Sequence, residues 1–215
     1  MKTNLLFRNI ILGLTSLLFC SFGFIRLPAA EPIGSVKTKQ IDEKEFETKF
    51  TPFKQLIRDK KYDTVISECN KIIKTYAQAQ PRTQDYLYYV SAKGMIGLVH
   101  YEKGEYELAA PISEEVANLC SRETTLYLDD IPISYHYQSV FRFNAGECYE
   151  KLGNYSKAKD LYENLLVICE AEQAKINEMS SLPSYHSHVN RIIQELKTRI
   201  ERCNSEIKNK TDKQG

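Results

Sequence analysis

The sequence predicts an all-α protein built of antiparallel helical hairpins stacked side by side. Three observations carry this. Apolar residues recur at spacings of three and four along most of the chain after residue 41. Apolar alternation, the mark of a half-buried strand, is absent throughout. One stretch, FNAGECYEKLGNYSKAKDLYENLLVIC from Phe143 to Cys169, is echoed by IGLVHYEKGEYELAAPISEEVANLC from Ile96 to Cys120. In each, a small Gly precedes a Gly-x-Tyr turn, and an Ala follows the Tyr by three positions. An internal repeat of this kind marks stacked supersecondary units.

The elements follow in order. Asp42 stands as an N-cap with Glu45 three residues on, flanked by Ile41 and Phe46 at staple spacing. Phe46, Phe50, Phe53 and Ile57 mark one helix, which Pro52 is expected to kink or restart. Asp59-Lys60-Lys61-Tyr62 turns the chain, and Val65, Ile66, Cys69, Ile72 and Ile73 mark the return. A loop holds Pro81. The second hairpin opens near Gln84 and turns at Gly104. Its return carries Leu108, Ile112, Val116 and Leu119, with a kink expected at Pro111 and an end between Arg122 and Leu128. Asp129-Asp130-Ile131-Pro132 closes it, and no strand is expected. The third hairpin starts near Ile133, turns at Leu152-Gly153-Asn154, and returns through Ala158, Leu161, Tyr162, Leu165 and Ile168. After a turn at Ser180–Ser184, a last amphipathic helix holds Val189, Ile192, Ile193, Leu196, Ile200, Cys203 and Ile207. Such a helix suits the open end of a stack. Four segments result: 1–30, a linker over 31–41, a helical domain over 42–208, and a polar tail over 209–215 that is expected to be loose.

The chain has 215 residues, enough for one ordinary domain. Its net charge is +1, so nothing points to nucleic acid. Residues 1–30 hold Lys2, Arg8 and Arg26 and no acid; without them 26 basic and 28 acidic residues remain, a net of −2. A basic start, an apolar run over residues 10–25 and small residues at Ala29-Ala30 fit an export signal. An uncleaved membrane tether through the same run is the rival. Bulky Phe19 before Cys20 argues against lipidation. Either reading places the remainder outside the cytoplasm: periplasmic, secreted or anchored.

The hairpins resemble tetratricopeptide repeats. In the third, Gly146 fills the small slot, Tyr149 follows, Gly153 and Tyr155 make the turn, and Ala158 and Tyr162 continue the pattern. In the second, Gly97, Gly104, Tyr106 and Ala109 correspond, with His100 and Ser113 where aromatics are usual. In the first, only Lys60-Lys61-Tyr62 and Val65 correspond, and Phe53 stands in the small slot. The turn tyrosines Tyr62, Tyr106 and Tyr155 lie 44 and 49 residues apart. The family repeat is about 34 residues, so the helices are longer or the connections looser. The resemblance implies a short solenoid whose first helices line a concave protein- or peptide-binding face. The residues it places there are Phe50, Lys54, Ile57 and Arg58; Leu98, Tyr101 and Glu102; Val140, Phe143, Glu147, Glu150 and Lys151. An alternative set of rings packed against the neighbouring hairpin stays open for Tyr101 and Phe143.

Rival chemistry is thin. His186 and His188, two apart, do not share a helix face and lack ligand-spaced companions. His100 reads as a packed hairpin residue, and His136 lies between Tyr135 and Tyr137. No nucleophile, base and acid group together, no phosphate loop exists, and no cofactor is expected. Cys69, Cys120, Cys148, Cys169 and Cys203 read as small buried apolar residues. An axial offset of about 10 Å between Cys120 and Cys148 opposes a bridge, whose Cα limit is about 7 Å; export nevertheless invites disulfides. Asn154-Tyr155-Ser156 and Asn209-Lys210-Thr211 fit the glycosylation pattern. A binding scaffold is therefore expected, not an enzyme. A ligand-binding or enzymatic helical domain and a self-associating module are the alternatives.

Overall fold

The computed structural model describes residues 42–81, 83–120, 127–128, 131–178 and 183–213. The export-signal, linker and staple expectations at residues 1–41 lie outside them. Seven helices lie among the described residues: α1 (Glu43–Arg58), α2 (Tyr62–Thr75), α3 (Gln84–Lys103), α4 (Tyr106–Leu119), α5 (Ile133–Lys151), α6 (Tyr155–Glu178) and α7 (Pro183–Asp212). Each packs against the next in sequence, and α1 also touches α3.

Side chains cap three helices, at Asp42 as the sequence expects and also at Thr83 and Asn154. Asp42 accepts from the Glu45 amide at 2.9 Å, and Thr83 accepts from the Tyr86 amide at 3.1 Å. Asn154 accepts from the Lys157 amide at 3.2 Å. Pro183 occupies the first position of α7, where its missing N–H costs nothing. Pro52 and Pro111 lie inside α1 and α4, each of which runs on as one helix; both are exposed.

The three hairpin turns share one geometry. Lys60, Gly104 and Gly153 take φ of 57°, 77° and 71°. Each stands two residues before its turn tyrosine. Lys60, Gly104 and Gly153 donate to the carbonyls of Ile57, Tyr101 and Glu150, all at 3.0 Å. The next residues, Lys61, Glu105 and Asn154, donate to Leu56, His100 and Tyr149 at 2.8, 2.9 and 2.8 Å. This double closure satisfies the last carbonyls of the first helix and reverses the chain. Three residues past each tyrosine, Val65, Ala109 and Ala158 are fully buried. Seven before each left-handed residue stand Phe53, Gly97 and Gly146, also buried. A Cβ on Gly146 would meet Tyr162 Cζ at 2.7 Å, and one on Gly97 would meet Ile112 Cγ2 at 3.1 Å. The equivalent of Tyr162 in the second hairpin is Ser113, so helix approach there is set by smaller groups on both sides.

Two expectations change. Residues 127–128 are not the end of a long helix, because α4 ends at Leu119 and Tyr127–Leu128 pair antiparallel with Ile131–Pro132. Two residues per strand are too few to show alternation in the sequence. The tail expected to be loose from Asn209 is helical through Asp212, where Lys210 donates to the Gly153 carbonyl at 2.6 Å and lies 5.0 Å over the Tyr155 ring.

Burial forms one large core from Phe46 to Tyr137, spanning α1 to α5, and a second of Phe143, Ala158, Tyr162, Leu165, Cys169, Val189, Ile193, Leu196 and Cys203, spanning α5 to α7. Between them, Ala109, Ala110 and Cys148 pack with Tyr101, Tyr106 and Tyr149.

Candidate functional site

In the first hairpin, Phe50 does not reach an open face. It is fully buried, with ring centroids 4.7 Å from Phe46, 5.7 Å from Phe53 and 6.1 Å from Tyr88 of α3. Lys54 and Ile57 are half-buried, Ile57 against the same core, and Arg58 is exposed. In the second hairpin Leu98 and Tyr101 are half-buried and Glu102 is exposed. Gly97 faces α4, the packing side the sequence assigns to it. In the third, Val140 is half-buried and Lys151 exposed.

Phe143, Glu147 and Glu150 are buried, because α7 lies over this side of α5. The Phe143 ring packs 5.5 Å from Tyr162, with the Arg199 guanidinium 5.3 Å above it. Phe50, Phe143, Glu147 and Glu150 are thus removed from the expected open face. Their physical reason is shared: the side of the first helix that the family resemblance leaves open is here met by the helix two further along the chain, α3 at Phe50 and α7 at Phe143, Glu147 and Glu150.

The burial of two carboxylates is met by α7. Glu147 Oε1 accepts from Arg199 Nη2 at 2.7 Å, and its Oε2 accepts from the Tyr101 hydroxyl at 2.9 Å. Glu150 Oε2 accepts from Arg199 Nη1 and pairs with Arg202 Nη2, both at 2.9 Å, while Oε1 lies 3.6 Å from the Cys203 thiol. Arg199 Nε donates to Glu195 at 2.8 Å. One guanidinium thereby uses all three nitrogens on three carboxylates, a fork geometry that lysine lacks. Burial opposes the Arg199 charge, but Glu147, Tyr162, Glu195 and Glu150 outweigh it and hold the guanidinium above its ordinary range. Burial, with Glu147 beside it, pushes the Tyr101 phenol well up, so it stays a donor. Tyr162 is raised by burial and by Glu150; its hydroxyl has no hydrogen-bond partner among the described residues.

A second bridge ties α4, α5 and α6. Glu114 accepts from the Tyr149 hydroxyl at 2.6 Å and from Lys157 at 3.0 Å. His100 is half-buried, with Nδ1 2.6 Å from Glu105, in keeping with a packed hairpin residue. All five described cysteines are buried free thiols. Burial pushes Cys69, Cys120 and Cys148 up to about 12 and Cys203 to about 11, which makes them inert small hydrophobes rather than nucleophiles. The side chains of His136, His186 and His188 lie outside what is described. Among the described residues no group of His, Cys, Asp and Glu could hold a metal ion, and no helix is long and apolar enough to cross a membrane.

The sequence reading missed Arg199 and Arg202. A signal for the first exists. Glu147 and Glu150 continue the apolar stripe of α5 from Phe143 at helical spacing, and Arg199 adjoins the α7 stripe of Leu196 and Cys203. Acids on one buried stripe with an arginine beside another are complementary, but the pairing needs the two helices to be placed together first.

No family model, no curated protein and no solved structure matches the chain.

Proposed function

We propose that this chain is a tetratricopeptide-like scaffold, exported or tethered by its N-terminus, that binds a protein or peptide on the concave side of a short helical solenoid. The observation that carries the reading is the single turn geometry at Lys60, Gly104 and Gly153, set in equivalent places relative to Tyr62, Tyr106 and Tyr155. Units joined in one way stack in one way, and stacked hairpins generate extended curved surfaces. The role is binding, not catalysis.

The face is smaller than the resemblance implies. With four of the twelve residues buried, it consists of Lys54, Ile57 and Arg58 on α1, Leu98, Tyr101 and Glu102 on α3, and Val140 and Lys151 on α5. Leu98, Val140 and Ile57 supply half-buried apolar anchors, and the exposed Arg58, Glu102 and Lys151 supply a polar rim. A few such anchors dominate binding energy in most interfaces.

The test is affinity capture from the native source with a chain beginning at residue 31, followed by measured binding of the captured protein. Arg58→Glu with Glu102→Lys reverses two exposed rim charges, so binding should fall while the melting temperature holds. Binding that is indifferent to both changes moves the site elsewhere. Mass spectrometry of the mature N-terminus tests export separately: an intact, cytoplasmic Met1 sinks that half of the proposal.

A further inference from the structure

We infer that Glu147 couples the docking of α7 to the state of Tyr101, so that the terminal helix and the second hairpin respond as one unit. Glu147 sits on α5 with both carboxylate oxygens engaged by different elements. Oε2 takes the Tyr101 hydroxyl of α3 at 2.9 Å, and Oε1 takes Arg199 of α7 at 2.7 Å. The carboxylate is buried, so water does not replace a donor that leaves. The two donors, one on each oxygen, fix the rotamer and plane of the carboxylate, so the loss of either lets it turn away from the position that serves the other. Losing the Tyr101 donor therefore weakens the hold of Glu147 on Arg199, and losing Arg199 weakens its hold on Tyr101.

The position of the two ends gives the coupling a use. Tyr101 is half-buried, its ring centroid 5.7 Å from that of Tyr106 in an edge-to-face arrangement. Arg199 is the centre of the α7 attachment, linked to Glu150 and Glu195 as well. The other titratable groups near the Glu147 carboxylate are Tyr162, Tyr106 and Cys148, whereas Arg202 and Cys203 reach Glu150 instead. Arg202 reaches Glu150 alone among these acids, so it lies off the route from Tyr101 to α7. On the scaffold reading, a bound segment that offers a carbonyl or carboxylate to the Tyr101 hydroxyl competes with Glu147 and loosens α7. By linkage, an undocked α7 frees the hydroxyl for that segment. The coupling itself needs no partner, so its test stands apart from the test of the scaffold reading.

The experiment is hydrogen exchange, followed by mass spectrometry, on the full chain with no partner. Tyr101→Phe removes the hydroxyl and keeps the ring. Amides of residues 189–207 should exchange faster, on the order of tenfold, while those of α1 and α2 keep their rates. Arg199→Met should speed the same amides, and the double variant should fall short of the product of the two single effects. Arg202→Gln is the control, whose effect should multiply independently with that of Tyr101→Phe. A Tyr101→Phe chain whose α7 rates stay within about twofold of the parent overturns the coupling, as does a double variant that equals the product. If Arg199→Met fails to fold, the Tyr101→Phe rates alone decide.

Discussion

Lys60 is the residue where the three turns differ most in chemistry and least in geometry. It holds φ 57° with a full side chain, while Gly104 and Gly153 do the same work at the equivalent places without one. The left-handed conformation costs an L-residue about 1–2 kcal/mol, and glycine gives back part of that as unfolded-state entropy. Lys60 is exposed, so nothing else is lost on replacement. Lys60→Gly should therefore raise stability by about 1 kcal/mol in urea denaturation; a loss of stability means that the turn is not left-handed. Gly146 poses the opposite case. Its ordinary backbone needs no glycine, but Tyr162 stands where a side chain would go. Gly146→Leu should cost about 1–3 kcal/mol by overpacking, and an unchanged melting temperature denies the close contact. Gly94 is a similar position that the repeat pattern does not flag: a Cβ there meets the Phe141 ring of α5, with Cε1 at 3.0 Å. It serves packing between hairpins, whereas the repeat reports packing within them.

At the scale of elements, α7 is held by both an apolar stripe and an ion network. Val189, Ile193, Leu196 and Cys203 bury against α5 and α6, and Arg199 answers Glu147 and Glu150. A buried network is costly to break and cheap to replace as a whole. Arg199→Ala leaves Glu147 buried without a cation and Glu150 with Arg202 alone, and should cost about 3–5 kcal/mol. Changing Arg199, Glu147 and Glu150 together to Met, Leu and Leu should recover most of that loss, measured by the same denaturation. A triple variant as unstable as the single one contradicts this, and shows that shape rather than stranded charge sets the cost. This network also marks where the sequence stops being legible. Helix existence, the cap at Asp42, the turns, and the burial of the cysteines follow from local patterns along one segment. The faces of Phe50, Phe143, Glu147 and Glu150 depend on which element lies over them, and spacing along one helix does not contain that. The two-residue ladder at Tyr127–Leu128 and Ile131–Pro132 was likewise too short to leave a period.

Across the whole molecule one arrangement recurs. A helix, a left-handed turn two residues before a tyrosine, and a returning helix occur three times, and the seventh helix covers the last hairpin. The scaffold reading rests on that frame, because it requires a shared turn register to align the first helices into one face. The frame holds even where the sequence match is weakest, in the first hairpin, where Lys60 replaces glycine and Phe53 replaces the small residue. That hairpin is the place to test it. Backbone chemical shifts and couplings of the isotopically labelled chain report φ residue by residue. The account predicts positive φ at Lys60, Gly104 and Gly153, with helical values on both sides of each. A helical or extended φ at Lys60 would remove the first hairpin from the common frame and contradict the account.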